Sequence, residues 1–154
     1  MNPITISLSD LKHHAGQEIA VTDWLQITQE RVQQFADATG DHQWIHLDTE
    51  RAAKESPYGG TIAHGFLTLS LLSQFMQQAL QITGLRMAIN YGLNRVRFPA
   101  AVTVGSEIRA RFTLASLKDV EGGVEVVYQA TLQGNGVEKP CCIAEWIVRY
   151  YPAT

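Results

Sequence analysis

Residues Gly65 to Ile82 constrain the fold more than any other stretch of this 154-residue chain. Phe66, Leu69, Leu72, Met76 and Leu80, with Ser70 and Ser73 among them, give the segment apolar faces on nearly all sides at helical spacing. A helix apolar almost all round is a buried one, so a single long helix sunk in the core is expected here. After Gly84 the period changes to two. Val96 and Phe98 alternate with Arg95 and Arg97, and Ile108, Ala110, Phe112 and Leu114 with Glu107, Arg109, Arg111 and Thr113. Val124, Val126, Tyr128, Ala130 and Leu132 repeat the pattern, which predicts antiparallel strands with one buried face. Turns are expected at Pro99 to Gly105, Glu121-Gly122-Gly123 and Gly134-Asn135-Gly136. Cys141 to Tyr151 is apolar on both faces, which suits a central strand or one at a subunit contact. Helices early, strands late and one fully apolar helix give an α+β fold whose sheet must wrap around that helix.

Upstream, Ile19 to Ile27 has the β-branched character of a first strand. Thr28 can cap a helix from Gln29 to Thr39, with Val32, Phe35, Ala36 and Thr39 on one face and Gly40 as its left-handed end. A short helical turn is expected around Arg51 to Lys54, before Pro57. No repeat or linker divides the chain, and 45% hydrophobic content can build one core, so residues 1–154 are expected to form a single domain. A net charge of −3 with both signs dispersed gives no broad basic surface, so neither nucleic acid nor an anionic membrane is an expected partner. No run approaches the ~20 apolar residues of a bilayer span. Met1 to His14 lacks the order of a secretory signal, so a soluble, cytoplasmic protein is expected. Cys141 and Cys142 are adjacent and would point to opposite faces of a strand, which favours buried thiols over a disulfide.

The chemistry concentrates in Gly40-Asp41-His42-Gln43-Trp44-Ile45-His46 and Pro57-Tyr58-Gly59-Gly60-Thr61-Ile62-Ala63-His64-Gly65. The first sets a carboxylate five residues before an imidazole, in a loop between two helical patterns. The second is a glycine-rich turn that opens the apolar helix. An acid and a base beside a helix N-terminus are the parts of a proton-shuffling enzyme, with oriented N–H groups to hold developing negative charge. Asp41 and His46 form the candidate catalytic pair. Trp44 and Ile45 give it apolar surroundings, where desolvation would raise a carboxylate's pKa. The bland alternative makes Asp41 a capping residue and His46 a packing residue. Asp48 is a rival carboxylate, but its Asp-Thr-Glu-Arg context suits a helix cap. Gly65 would present a backbone N–H at the helix start, and His64 either supports that site or packs beneath an ordinary turn. Ser70 lies further along the same helix, where a serine usually bonds back to a carbonyl.

His42, His46 and His64 lack a further ligand cluster at zinc spacing, so no metal is expected. Neither a Gly-x-Ser-x-Gly elbow nor a P-loop or dinucleotide fingerprint is present, so no such cofactor is expected. Arg86, Arg95, Arg97, Arg109 and Arg111 fall in one sheet-forming region. Arg95, Arg97, Arg109 and Arg111 share the polar phase of two strands expected to be adjacent. Guanidinium forks there suit phosphates of a large thioester carrier, or a solvated strand face with cross-strand charges.

These residues resemble the MaoC-like dehydratase family, which includes R-specific enoyl-CoA hydratases and nodulation protein N-like proteins. The resemblance runs through Phe35-Ala36-Asp37-Ala38-Thr39-Gly40-Asp41, Trp44-Ile45-His46, Ala52, Pro57 to Gly65, Ser70 and Asn94-Arg95-Val96-Arg97-Phe98. It implies a hot-dog fold, in which an antiparallel sheet wraps a long helix, and a homodimer. It also implies that Asp41 and His46 are the catalytic pair, Ser70 a supporting serine and Gly65 the oxyanion-hole amide. The activity implied is reversible hydration of a trans-2-enoyl thioester to an (R)-3-hydroxyacyl thioester, with coenzyme A or an acyl carrier protein as carrier and no cofactor. Many R-specific hydratases carry Asn-Pro where this chain has Gln43-Trp44, a form that looks like the nodulation protein N-like branch. A hot-dog thioesterase and a non-catalytic acyl-binding module are the alternative functions.

Overall fold

The computed structural model describes residues 2–154. Its frame is a six-stranded antiparallel sheet. Glu18–Val21 (β2), Glu107–Val120 (β6), Gly123–Gly134 (β7), Cys142–Pro152 (β8) and Leu85–Arg97 (β5) lie side by side in that order. Leu25–Gln26 (β3) pairs with β6, and Ile4–Ser7 (β1) pairs in parallel with Leu80–Thr83 (β4) as a separate ribbon. The period-two residues of β6 and most of those of β7 face inward as expected, whereas Val96 and Val124 are half-buried and Phe98, just beyond β5, is exposed. Ile108, Ala110, Phe112 and Leu114 of β6, with Val126, Tyr128, Ala130 and Leu132 of β7, are all fully buried. Cys142, Ala144, Trp146, Val148 and Tyr150 of β8 complete that wall, and Tyr128 and Tyr150 satisfy each other's hydroxyls at 2.7 Å. Against it lie Gly65–Ser70 (α4) and Leu72–Ala79 (α5), α4 packing on β8 and α5 on β2 and β6. This sheet wrapped on a helix is the hot-dog architecture that the resemblance implies.

The central helix departs from expectation in two ways. It is not one run to Ile82: it is interrupted at Leu71, and from Leu80 the chain is extended because residues 80–83 are taken up by β1. Nor is it buried all round. Phe66 is 70% exposed, and Ser70 and Gln77 are also open, so one stripe faces away from the sheet. The strand expected over Ile19 to Ile27 is likewise divided. Thr22 lies between β2 and β3, and its hydroxyl accepts the Ala110 N–H that a strand carbonyl would otherwise take. The residues before it form β1 and a 3₁₀ helix over Leu8–His14, neither of which was expected.

The helix Gln29–Thr39 (α1) has the bounds its caps predict: the Thr28 hydroxyl accepts the Arg31 N–H, and Gly40 adopts φ +82°. Asp48 caps Thr49–Glu55 (α3) in the same way, through the Arg51 N–H. Between them, Trp44–Leu47 is not loop but a one-turn helix (α2). β8 lies between β7 and β5, which accounts for its apolarity on both faces. Cys141 and Cys142 are both free and buried. Burial pushes the Cys141 thiol up to about 12 and that of Cys142 to about 11.

Candidate active site

α1, α2 and the segment before α4 bring Asp41, His46 and His64 together. One donor atom from each lies within 4.8 Å of the others. A cavity of ≈ 260 Å³ is lined by these three residues, Gly65, Phe66 and Phe98. Two hydrogen bonds of about 2.8 Å meeting at a tetrahedral oxygen span about 4.6 Å. The spacing of the three residues is close to that span.

The two rings have defined tautomers. His46 Nδ1 lies 2.7 Å from the Ile62 carbonyl, which can only accept, so Nδ1 carries the proton and Nε2 is the basic nitrogen of the neutral ring. His64 Nε2 lies 3.0 Å from the Asp41 carbonyl and must donate to it. Its Nδ1 is buried without a hydrogen-bond partner, an acceptor left unsatisfied inside the protein. The rings stack with centroids 3.8 Å apart, 27° from parallel. Burial holds the His46 pKa below the ordinary histidine value. His64 pushes the same way, against the Ile62 hydrogen bond and the Asp41 charge.

Asp41 differs from expectation. It is exposed, whereas His46 is buried. Asp41 Oδ1 accepts the Gln43 N–H at 3.3 Å, a short-range turn that orients the carboxylate. Trp44 does not enclose the pair. Its ring lies under the Arg51 guanidinium at 4.1 Å.

Gly65 is the first residue of α4, so its N–H belongs to the set that the helix leaves without an intrahelical partner. Phe98 lies directly on it: a Cβ on Gly65 would come within 3.2 Å of that ring. The same two residues also line a neighbouring cavity of ≈ 450 Å³ that reaches Tyr58, Val102 and Cys141. Phe98 thus stands between two cavities at the helix start. Phe66 meets it edge-on, with centroids 6.5 Å apart.

Ser70 is not brought into this constellation. It lines a separate cavity of ≈ 240 Å³ with Ser73, Asn90 and Trp146, and its hydroxyl donates to the Leu67 carbonyl. The arginine reading is corrected too. β5 and β6 are not neighbours, because β7 and β8 lie between them, three strand spacings or about 14 Å in all. Arg111 is held by Glu18 through two hydrogen bonds, and Arg109 by Gln133 while it covers Trp24. Arg95 and Arg97 are on the other side of the sheet, exposed on β5 and next to Phe98.

His42 pairs with Asp37 at 3.1 Å, outside the cavity, so the histidines considered for a metal are not together. Asp41 takes its place in the cluster. Two further contributors, half-buried Gln29 and buried Thr61, were not singled out in the sequence. Gln29 and Thr61 are 32 residues apart, yet the Thr61 hydroxyl donates to Gln29 Oε1, and Gln29 Nε2 donates to the His46 carbonyl, both at 2.7 Å.

Known proteins are similar to this chain over most of its length. The family described as MaoC like domain matches residues 10–135. A 3-hydroxyacyl-thioester dehydratase Z of Mycobacterium tuberculosis is 52% identical over 145 residues, covering 94% of this chain and 95% of that protein. Nodulation protein N of Rhizobium leguminosarum bv. viciae is 44% identical over 144 residues, covering 92% and 89%. Among solved structures, an (R)-hydratase from A. caviae superposes with a TM-score of 0.69 at 25% identity, over 90% of this chain and 96% of that one.

Proposed function

Because the chain belongs to the MaoC-like dehydratase family, we propose that it reversibly adds water across the C2–C3 double bond of a trans-2-enoyl thioester, giving an (R)-3-hydroxyacyl thioester. Its class is that of a hydro-lyase. The observation that carries the finer reading is the approach of the Asp41, His46 and His64 donor atoms to within 4.8 Å beside the first residue of α4.

In this reading one water sits between the Asp41 carboxylate and His46 Nε2. As its oxygen attacks C3, the pair takes one proton, and it returns one proton to C2. The π electrons pass to the thioester oxygen, where the Gly65 N–H and the positive end of the helix stabilise the enolate. Such a donor is worth about 3 kcal/mol of transition-state stabilisation. No metal or cofactor enters this scheme. Arg95 and Arg97 are exposed near the end of β5, the strand that leads into Phe98, and would meet the phosphates of a coenzyme A or acyl-carrier-protein thioester. A homodimer is part of the proposal, since β5 leaves Met87, Ile89, Tyr91 and Leu93 exposed at the sheet edge.

The test follows the enoyl absorbance of crotonyl-CoA. Asp41→Asn and His46→Gln are each expected to lower kcat by about a hundredfold or more. Activity surviving both substitutions removes the assignment. Thiol release from an acyl-CoA, with no loss of enoyl absorbance, would assign thioester hydrolysis instead.

A further inference from the structure

We propose that Gln29 and Thr61 are positioning residues for His46, acting through a closed ring of hydrogen bonds that holds both the imidazole and the backbone bearing it. The inference rests on the reading of His46 as part of the catalytic pair; Thr61 lies within the Pro57–Gly65 motif, but nothing local in the sequence joins it or Gln29 to His46.

α2 is four residues long and has no side-chain N-cap, so it has too few internal hydrogen bonds to hold itself in place. It is held from outside at three points. The Ile45 carbonyl accepts the Ile62 N–H at 3.0 Å, and the His46 carbonyl accepts Gln29 Nε2 at 2.7 Å. The His46 ring donates from Nδ1 to the Ile62 carbonyl, also at 2.7 Å. The ring closes through Thr61, whose buried hydroxyl donates to Gln29 Oε1 at 2.7 Å. Thr61 is itself fixed, because its carbonyl accepts the Val104 N–H at 2.9 Å.

The chemistry allows only one orientation of the Gln29 amide. A backbone carbonyl needs a donor, so Nε2 must face His46, and Oε1 is left for the hydroxyl. Glutamate would put an acceptor against that carbonyl, and methionine would fill the space with no hydrogen bond at all. Loss of the bridge frees one end of α2. The His46 ring then no longer keeps both its Nδ1 donation and its place in the cluster with Asp41 and His64. A displacement of about 1 Å at a reacting group can cost on the order of a hundredfold in rate.

Two measurements on the full chain test this. The first is crotonyl-CoA hydration by Gln29→Met, Thr61→Val and Thr61→Ser. The second is ¹⁵N NMR titration of the histidine rings in the same proteins. Asp41 and His64 are the titratable groups that face His46. Gln29→Met and Thr61→Val are each expected to lower kcat by about tenfold or more, with KM within about twofold. In both, the His46 titration should move upward as water reaches the ring, while Thr61→Ser, which keeps the hydroxyl, should behave as wild type. The proposal is overturned if the His46 titration and tautomer are unchanged in both disruptive variants, or if Thr61→Ser is as impaired as Thr61→Val. Should Gln29→Met not fold, the valine and serine variants of Thr61 decide the question alone. Should the wild type not hydrate crotonyl-CoA, the proposed reaction fails and the NMR titration still tests the positioning.

Discussion

Burial and a backbone carbonyl act on the His46 ring in opposite directions, and burial prevails. The neutral imidazole therefore persists to lower pH than in a free histidine. If turnover needs a basic Nε2, the acid limb of kcat/KM should fall below about pH 6.5. Stability carries the same sign. The unfolded chain takes up a proton at this residue near pH 6.5, while the folded state takes it up only at lower pH. Stability should thus fall as pH drops through that window and be untouched by this group above it. Urea midpoints at pH 7.5 and 5.5 measure the effect, and His46→Gln should flatten the difference. At this scale the sequence is informative where chemistry is local. Asp41, His46, His64 and Gly65 fall in two short motifs and meet in one cavity. Gln29 lies outside both motifs, and the part of Thr61, though it lies inside the second, could not be read there, because what joins the two to His46 is tertiary.

Elements were legible to the degree that their determinants lie within them. α1 follows from Thr28 and Gly40, and the inner faces of β6 and β7 follow from alternation, whereas β8, apolar on both faces, gave no inner face. The central helix was overextended because Leu80 to Ile82 is apolar in either state, and only pairing with residues 4–7 makes it strand. Sheet order failed for the same reason. Chain neighbours β5 and β6 are separated by two strands, which split the arginines. The β6–β7 hairpin gives a sharper prediction. A Cβ on Gly123 would collide with the Tyr150 backbone oxygen of β8, and backbone cannot step aside as a side chain can. Gly123→Ala should therefore cost about 3 kcal/mol and lower Tm by about 10 °C in calorimetry. Gly60→Ala, with nothing within 4 Å of the added carbon, should leave Tm within about 2 °C.

For the molecule as a whole, the exposed flank at β5 is the surface on which the proposed homodimer would form. A thirteen-residue edge strand bearing Met87, Ile89, Tyr91 and Leu93 is a surface that solitary soluble proteins avoid. Light scattering is expected to give twice the chain mass, and Ile89→Lys to return it to one chain, since Ile89 sits opposite Arg149 in the sheet. A variant that stays double in mass would place the contact elsewhere. The one-turn helix bearing His46 has its own consequence for how this protein fails. A machine whose working part is bolted on, rather than cast with the frame, loses its use before its shape. In a urea series, turnover should vanish at concentrations where far-ultraviolet circular dichroism still reports an intact sheet, because α2 can detach while β6, β7 and β8 stay closed.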